Sequence, residues 1–359
     1  MVTISRVGVL LLVVVALWLR IERLDELPVA VSSDESVDVV DAFHISTSGN
    51  YPLYEDHGRP EPLYVLLVSA ASGLFGHTVW SARVVTALAG VLTIPLMYWA
   101  MRQCLWGRPT AVREAASLLA AVVIAVCISH VALSRAIYRG VLQPSFMLLC
   151  IGWLARGMRL GRRRDFVLAG VSLCGALYSY TAAYVLPLAL PVVAVQVMVA
   201  RRAMWQRWLG RFALMAATMG VLMLPLALFY VDRPAGVVGR ANELNPGTTT
   251  FLGAGQLEAL ARQFFISGDI NPQYNVAQVP LIDPLFQPLF ALGLVALVLW
   301  ARQPWAALTL LWLGLATIPV LAAFEIPHGL RIMGEFAIFP LVTGAGLALV
   351  MTAAGRLTH

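Results

Sequence analysis

Long apolar runs separated by short polar segments recur along the whole chain. Runs that approach the ~18 residues needed to cross a bilayer predict membrane-spanning helices. Helices are expected rather than barrel strands because strand-like alternation is absent and a helix satisfies its own backbone groups in lipid. The pattern therefore predicts an all-α polytopic membrane protein, one transmembrane domain over residues 1–359. About ten spans are expected, near residues 6–22, 80–101, 114–132, 141–155, 166–181, 184–200, 212–230, 285–301, 305–323 and 335–354.

The arginines indicate the orientation of these spans. They cluster in alternate loops, at residues 102–113, 156–164 and 201–211, and basic loops face the cytoplasm. Both termini are then cytoplasmic, and two long segments, residues 23–79 and 231–284, are extracytoplasmic loops. All 25 basic residues are arginine, which indicates a GC-rich bacterial genome. We therefore expect a multi-pass protein of the bacterial plasma (inner) membrane.

Composition excludes several functional classes. The chain is 60% hydrophobic and 12% charged, so it is not a soluble domain. Its formal charge of +6 does not imply nucleic-acid binding, because the arginines lie where the topology requires them. The four cysteines show no paired spacing suited to zinc or redox chemistry.

The first external loop is the most acidic part of the chain. Within it, Ser32 to Ser36 resembles a helix start, with a polar N-cap and acids in the first turn, and predicts a short helix through Ser46. The apolar segment 62–76 is too short to cross a ~30 Å hydrocarbon core. Since a span there would invert every later loop, we expect an interfacial helix instead.

Acids on this loop and arginines at external helix ends suggest a chemistry. Carboxylates held in fixed turns can act as a general base or bind a cation, although they are also typical of a solvated surface. Arg135, Arg139 and Arg331 depart from the positive-inside pattern, and such guanidiniums either snorkel to headgroups or meet a carboxylate or phosphate. Together the two sets would suit a phosphate-linked lipid that donates its reacting carbon in a single, inverting displacement.

The order of several short motifs resembles that of a known family. These motifs are Ser33-Asp34-Glu35, Gly58-Arg59-Pro60-Glu61-Pro62, Leu74-Phe75-Gly76-His77 through Arg83, Ser134-Arg135 through Arg139, Tyr178-Ser179-Tyr180 through Tyr184, Phe265 through Asn275, Pro280 through Pro284, and His328-Gly329-Leu330-Arg331. The chain looks like a bacterial GT-C glycosyltransferase, related to protein O-mannosyltransferases and the lipid A aminoarabinose transferase. It departs from that family in reading Arg-Pro-Glu-Pro where a charged-Pro-Pro run is usual, which leaves acceptor recognition open.

The resemblance implies roles for particular residues. Asp34 corresponds to the family's proposed catalytic base, with Glu35 as its neighbour, and Glu61 lies where some relatives bind a metal or the acceptor. The remaining substrate-binding candidates are Arg59, Arg135, Arg139, Tyr180, Asp269, His328 and Arg331, with the arginines after residue 130 and His328 assigned to the lipid phosphate. The tyrosines at 178, 180 and 184 are also typical of an interfacial aromatic belt.

These features predict an external-face glycosyltransferase. Its donor would be a polyprenyl-phosphate-linked sugar, its acceptor a lipid, glycan or protein, and its surroundings membrane lipids. Whether a divalent metal serves as a cofactor is left open, and no other cofactor is expected. The alternatives are a transporter or flippase for a lipid-linked or anionic substrate, and an inactive assembly subunit. Transporters usually place ionisable groups near the middle of spans, where this sequence has almost none.

Overall fold

The computed structural model describes residues 2–48, 61–232, 254–322 except 273 and 277, residue 326 and residues 328–357. Every regular element in these ranges is helical. The α-helices are α1 (Val2–Ile21), α2 (Ser33–Ser48), α3 (Pro62–Phe75), α4 (Val79–Cys104), α5 (Thr110–Val126), α6 (Ile128–Arg135), α7 (Leu142–Leu160), α8 (Arg163–Leu177), α9 (Ala189–Ala200), α10 (Trp205–Asp232), α11 (Ala254–Phe265), α12 (Gln287–Leu299), α13 (Pro304–Leu321) and α14 (Glu335–Leu357). Short 3₁₀ segments cover Arg139–Val141, Thr181–Leu188, Arg202–Met204 and Gly329–Ile332.

The all-α membrane fold class is confirmed, but the expected count of about ten spans is not. Among the described residues, 7 helices are long and apolar enough to cross a membrane, or 8 if α5 and α6 together form one span. The predicted spans at 166–181 and 285–301 fall on α8 and α12, which have 15 and 13 residues. Helices of that length reach only about 20 Å.

The middle of the bundle is built by α4, α7 and α14. Of the apolar stretch of α7, 72% is buried, against 17% for α10. The outer helices instead expose large apolar side chains, including Leu10 and Val14 on α1 and Val221 on α10. Such surfaces are stable against lipid tails, which identifies α1 and α10 as peripheral helices.

Glycines allow α14 to approach two neighbours closely. A Cβ at Gly293 of α12 would lie 1.9 Å from Val342 O, and one at Gly346 of α14 would lie 1.9 Å from Leu289 O. On another face of α14, a Cβ at Gly344 would lie 2.8 Å from Ala116 O of α5. Small residues at such crossings let helix backbones pack by van der Waals contact where no hydrophobic driving force exists.

The expected single span at 114–132 is bent into two helices. The α5 and α6 axes differ by 54° across Cys127, whose backbone is extended (φ −60°, ψ 111°). No proline or glycine marks this break in the sequence. After α6 the chain runs extended through Ala136 and Tyr138 before the 3₁₀ turn that leads into α7. The break and the extended segment bring polar backbone and Arg139 to the end of the bundle where the first loop packs.

The first loop is partly helical, as predicted. The expected helix from Ser33 is α2, which extends two residues beyond the predicted end at Ser46, and the short apolar segment forms α3. Helix α3 packs against both α2 and α4, and its Tyr64 and Val68 are fully buried. The loop is therefore fastened to the bundle through α3.

We expect Gly293→Ala to lower the melting temperature of the purified protein by several degrees. The new methyl group would meet the Val342 carbonyl, a backbone atom that cannot turn aside, and overpacking of this kind costs about 1–3 kcal/mol. The matched control is Gly314→Ala in α13, where a Cβ meets no atom within 4 Å. The control should be unchanged or slightly more stable, because alanine favours helix by about 1 kcal/mol. Equal melting temperatures for both variants would contradict the close approach.

Candidate active site

The first turn of α2 is held by a reciprocal cap. Ser32 Oγ accepts a hydrogen bond from Glu35 N at 3.3 Å, and Glu35 Oε2 accepts one from Ser32 N at 2.7 Å. This is a capping box, which satisfies two amides at a helix start. The second oxygen of the same carboxylate, Oε1, accepts from Ile137 N at 2.7 Å. Glu35 therefore ties α2 to the extended segment between α6 and α7.

Arg139 lies at the centre of a buried ionic cluster. Its Nη1 is 3.1 Å from Glu61 Oε2, and its Nη2 is 4.0 Å from Asp38 Oδ1. All three side chains are more than nine-tenths buried. Glu61 is the N-cap residue of α3, followed by Pro62 at the first helical position. One guanidinium thus holds together α2, the start of α3 and the turn before α7.

The cluster leaves one carboxylate oxygen unused. Glu61 Oε1 is buried and has no hydrogen-bond partner among the described residues. Buried polar atoms without partners are costly, so this oxygen is placed to accept a further hydrogen bond. A cavity of about 30 Å³ beside Glu35, Asp38 and Arg139 has room for a water molecule or two. A sugar cannot enter it without movement of the surrounding side chains.

Two tyrosines form the next layer. The rings of Tyr138 and Tyr180 meet edge to face, with centroids 5.5 Å apart, and the Tyr138 hydroxyl donates to Leu330 O at 2.8 Å. Burial raises the pKa of the Tyr138 phenol well above its ordinary value, and the nearby charges of Arg139 and Arg331 only partly oppose that rise. Tyr138 therefore stays protonated and acts as a donor between the two arginines.

Asp269 fixes the segment that contains His328 and Arg331. Its Oδ2 accepts from Gly329 N at 2.5 Å, and its Oδ1 accepts from Asn271 N at 2.8 Å. The Tyr274 ring lies parallel to that of His328, at 9° and 6.4 Å between centroids. These contacts make Asp269 an anchor of the late segment.

The three arginines predicted to lie at external helix ends have different surroundings. Arg135 donates to the carbonyls of Leu19 at 2.9 Å and Glu22 at 2.7 Å, so it caps the end of α1, and Arg139 is engaged by carboxylates. Arg331 is half-buried, forms no ion pair within the described residues, and has a buried Nη1 with no hydrogen-bond partner there. Among the three, Arg331 has the donor capacity to take an anion.

Two candidates fall outside what is described: Arg59, and the side chain of Asp34, whose backbone belongs to the first turn of α2. Sequence reasoning did not single out Asp38 and Tyr138. Asp38 lies three residues after Glu35 on a predicted helix, a spacing that puts both on one face. That spacing was the available signal for Asp38, whereas the role of Tyr138 depends on tertiary contacts.

The described residues contain no group of three or more His, Cys, Asp or Glu side chains placed to hold a metal. At Glu61, the position considered for a metal, one oxygen already faces the Arg139 guanidinium. A neighbouring fixed cation disfavours a second one at the same carboxylate.

Comparisons with known proteins agree with this architecture. A family model described as dolichyl-phosphate-mannose-protein mannosyltransferase matches residues 56–230. The crystal structure of ArnT from Cupriavidus metallidurans bound to undecaprenyl phosphate superimposes with a TM-score of 0.67 at 17% identity, covering 99% of this chain and 61% of that one. The chain has the GT-C fold. The archaeal oligosaccharyltransferase AglB from Archaeoglobus fulgidus, in complex with an inhibitory peptide and a dolichol-phosphate, has the same fold with a TM-score of 0.59, 15% identity, and coverage of 98% and 50%.

The expected resemblance is thereby confirmed at the level of the fold. The chain spans about 61% and 50% of the lengths of those two structures. No curated protein sequence matches it. The matched family segment includes α3, Glu61, Arg139 and Tyr180, so much of the candidate site lies within it.

We expect Arg139→Gln to lower the free energy of unfolding by about 3–5 kcal/mol, because it removes the guanidinium that pairs with the buried Glu61 carboxylate. Thermal or denaturant unfolding in detergent measures this loss. Adding Glu61→Gln to the same chain should recover part of it, since the buried Glu61 charge is then removed.

The control for this prediction is Arg262→Gln. Arg262 pairs with Glu258 at 3.8 Å on an exposed surface, where ion pairs contribute at most about 1 kcal/mol. If Arg139→Gln were no more destabilising than Arg262→Gln, the buried cluster would not be holding the loop in place.

Proposed function

We propose that the protein transfers a sugar from a polyprenyl-phosphate-linked donor to a lipid, glycan or protein acceptor at the extracytoplasmic face of the bacterial plasma membrane. The observation that carries this proposal is the half-buried Arg331, which has a donor without a partner among the described residues and lies next to a cluster rich in carboxylates in a GT-C fold. Similar structures bind undecaprenyl phosphate and dolichol phosphate. The reaction needs both elements, a cation for the leaving phosphate and a base for the acceptor.

Arg331 is proposed to neutralise the donor phosphate. A phosphate oxygen accepts strong, charge-assisted hydrogen bonds from a guanidinium, and Nη1 of Arg331 has no such partner within the described residues. Tyr138 holds the adjacent Leu330 carbonyl, and Asp269 holds the Gly329 amide. These two contacts preorganise the arginine, so that charge developing on the leaving phosphate is met without reorganisation.

Asp34 is proposed as the base that deprotonates or orients the acceptor. Both oxygens of its neighbour Glu35 accept backbone amides, which gives Glu35 a positioning role. The capping box fixes the backbone of the turn that contains Asp34. A single displacement with this arrangement inverts configuration at the sugar carbon, because the acceptor attacks on the side opposite the leaving phosphate.

We expect Asp34→Asn to lower kcat by about 10²–10⁴-fold, the usual contribution of a general base, with donor affinity unchanged. The assay measures transfer of radiolabelled sugar from polyprenyl-phosphate donors to membrane extracts by the purified protein. The control is Asp25→Asn, an exposed acid of the same loop, which should keep full activity. Wild-type activity in Asp34→Asn would exclude Asp34 as the base.

Arg331→Gln should instead weaken donor binding about 10–100-fold, the loss of one or two charge-assisted hydrogen bonds. Binding of a fluorescent polyprenyl phosphate separates this effect from a change in kcat.

Glu35→Gln should lower activity and melting temperature together, because a glutamine side chain has one accepting oxygen and cannot accept hydrogen bonds from both Ser32 N and Ile137 N in the same way. Unimpaired donor binding in Arg331→Gln would exclude Arg331 as the phosphate ligand, whereas transfer by no donor at all would favour the transporter or inactive-subunit alternatives.

A further inference from the structure

A second site lies at the other end of the bundle. A recess of about 380 Å³ opens between the start of α8 and the first turns of α10, more than ten times the volume of the cavity beside Arg139. Its size falls in the range of small-molecule sites, ~300–1,000 Å³. Arg163 begins α8 and Tyr180 follows its end, so the length of α8, roughly 20 Å, separates the recess from the candidate active site.

The recess is strongly basic. It is lined by Gly161, Arg163, Gln206, Arg207, Gly210, Arg211 and Leu214, a set with three guanidiniums and no carboxylate. The nearby acid of α8, Asp165, is fully buried and already faces Arg156 at 3.8 Å and Arg164 at 3.7 Å. The positive charge of the lining is therefore not compensated by that acid.

One of the three arginines is fixed by the fold. Arg211 is buried, and its Nη2 donates to Gly161 O at 2.6 Å. Its guanidinium and that of Arg201 both lie over the Trp208 ring, each 4.3 Å from the centroid. Gly161 ends α7 with a left-handed backbone (φ +66°), and a Cβ there would lie 2.8 Å from Arg211 Nη2. The back wall of the recess is thus rigid, while Arg163 and Arg207 are exposed at its mouth.

We propose that this recess binds the phosphate of an anionic phospholipid headgroup. Three guanidiniums in one lining can donate several charge-assisted hydrogen bonds to a phosphate diester. A lipid source is argued from position: Trp205, Leu209 and Val221 of α10 are exposed apolar residues beside and beyond the recess, so acyl chains can continue along the helix. The arginine pattern predicts this end to be cytoplasmic, and anionic lipids bind basic pockets between helices there.

The test uses purified protein in phosphatidylcholine nanodiscs with or without phosphatidylglycerol. We expect phosphatidylglycerol to raise the melting temperature of the wild-type protein by about 3 °C or more, and native mass spectrometry to detect retained phosphatidylglycerol. Both signals should be lost in the double variant Arg163→Gln/Arg207→Gln. The matched control is Arg202→Gln/Arg302→Gln. This double variant removes two exposed charges that lie outside the recess, on the end of the bundle that is predicted to be cytoplasmic, and it should keep both signals.

Substitutions at two glycines of α10 test whether space in the recess is needed for lipid binding, without changing its charge. A Cβ at Gly210 meets no atom within 4 Å, so Gly210→Leu should place a bulky apolar side chain in the recess and abolish lipid retention while all arginines are kept. Gly220 has equally open surroundings on the same helix but does not line the recess. Gly220→Leu should therefore retain the lipid.

Three outcomes would overturn the proposal. The first is an equal response to phosphatidylglycerol in Gly210→Leu and Gly220→Leu, which would indicate a general membrane effect. The second is a response that survives in Arg163→Gln/Arg207→Gln. The third is stabilisation by inorganic phosphate without stabilisation by phosphatidylglycerol, which would identify a site for a free anion instead of a lipid.

Discussion

The Arg139 guanidinium, held between Glu61 and Asp38, joins three parts of the chain that are distant in sequence. A buried charge in a membrane protein must be paired, so the position of Arg139 before α7 determines where α2 and the start of α3 can lie. Glu35 adds a second tie by accepting a hydrogen bond from the amide of Ile137, which lies in the extended segment after α6. The first loop is therefore fastened by charges and backbone hydrogen bonds as well as by the apolar face of α3.

Much of the fold could be predicted from the sequence, because lipid forces each apolar run to be helical. The capped helix after Ser32 could also be predicted, since a capping box is a local signal. The bend at Cys127 could not, because neither proline nor glycine marks it. Its two sides are held by tertiary contacts of Arg20, with Ala125 O at 3.5 Å and with His130 Nδ1 at 2.9 Å. The short length of α8 could not be predicted either, because the apolar pattern in the sequence continues past Leu177, where the helix ends.

The candidate site was predictable in location more than in the roles of its residues. Acids of the first loop do meet Arg139, one of the three arginines predicted at external helix ends. Which partner each arginine takes depends on three-dimensional neighbours that residue type does not reveal. Arg135 contacts carbonyls of α1, Arg139 contacts carboxylates, and Arg331 has an unpartnered donor within the described residues. The two ends of the bundle also differ in charge, with a carboxylate-rich cluster at one and an arginine-lined recess at the other.

The most direct test of this account is an experimental structure of the protein determined with polyprenyl phosphate bound. The account predicts the phosphate group within hydrogen-bonding distance of the Arg331 guanidinium, with the Arg139 to Glu61 ion pair intact beside it. A phosphate bound by Arg135, or one bound by Arg139 after separation from Glu61, would contradict the division of roles among the arginines. A polyprenyl phosphate found only in the arginine-lined recess between α8 and α10 would contradict the location of the active site itself.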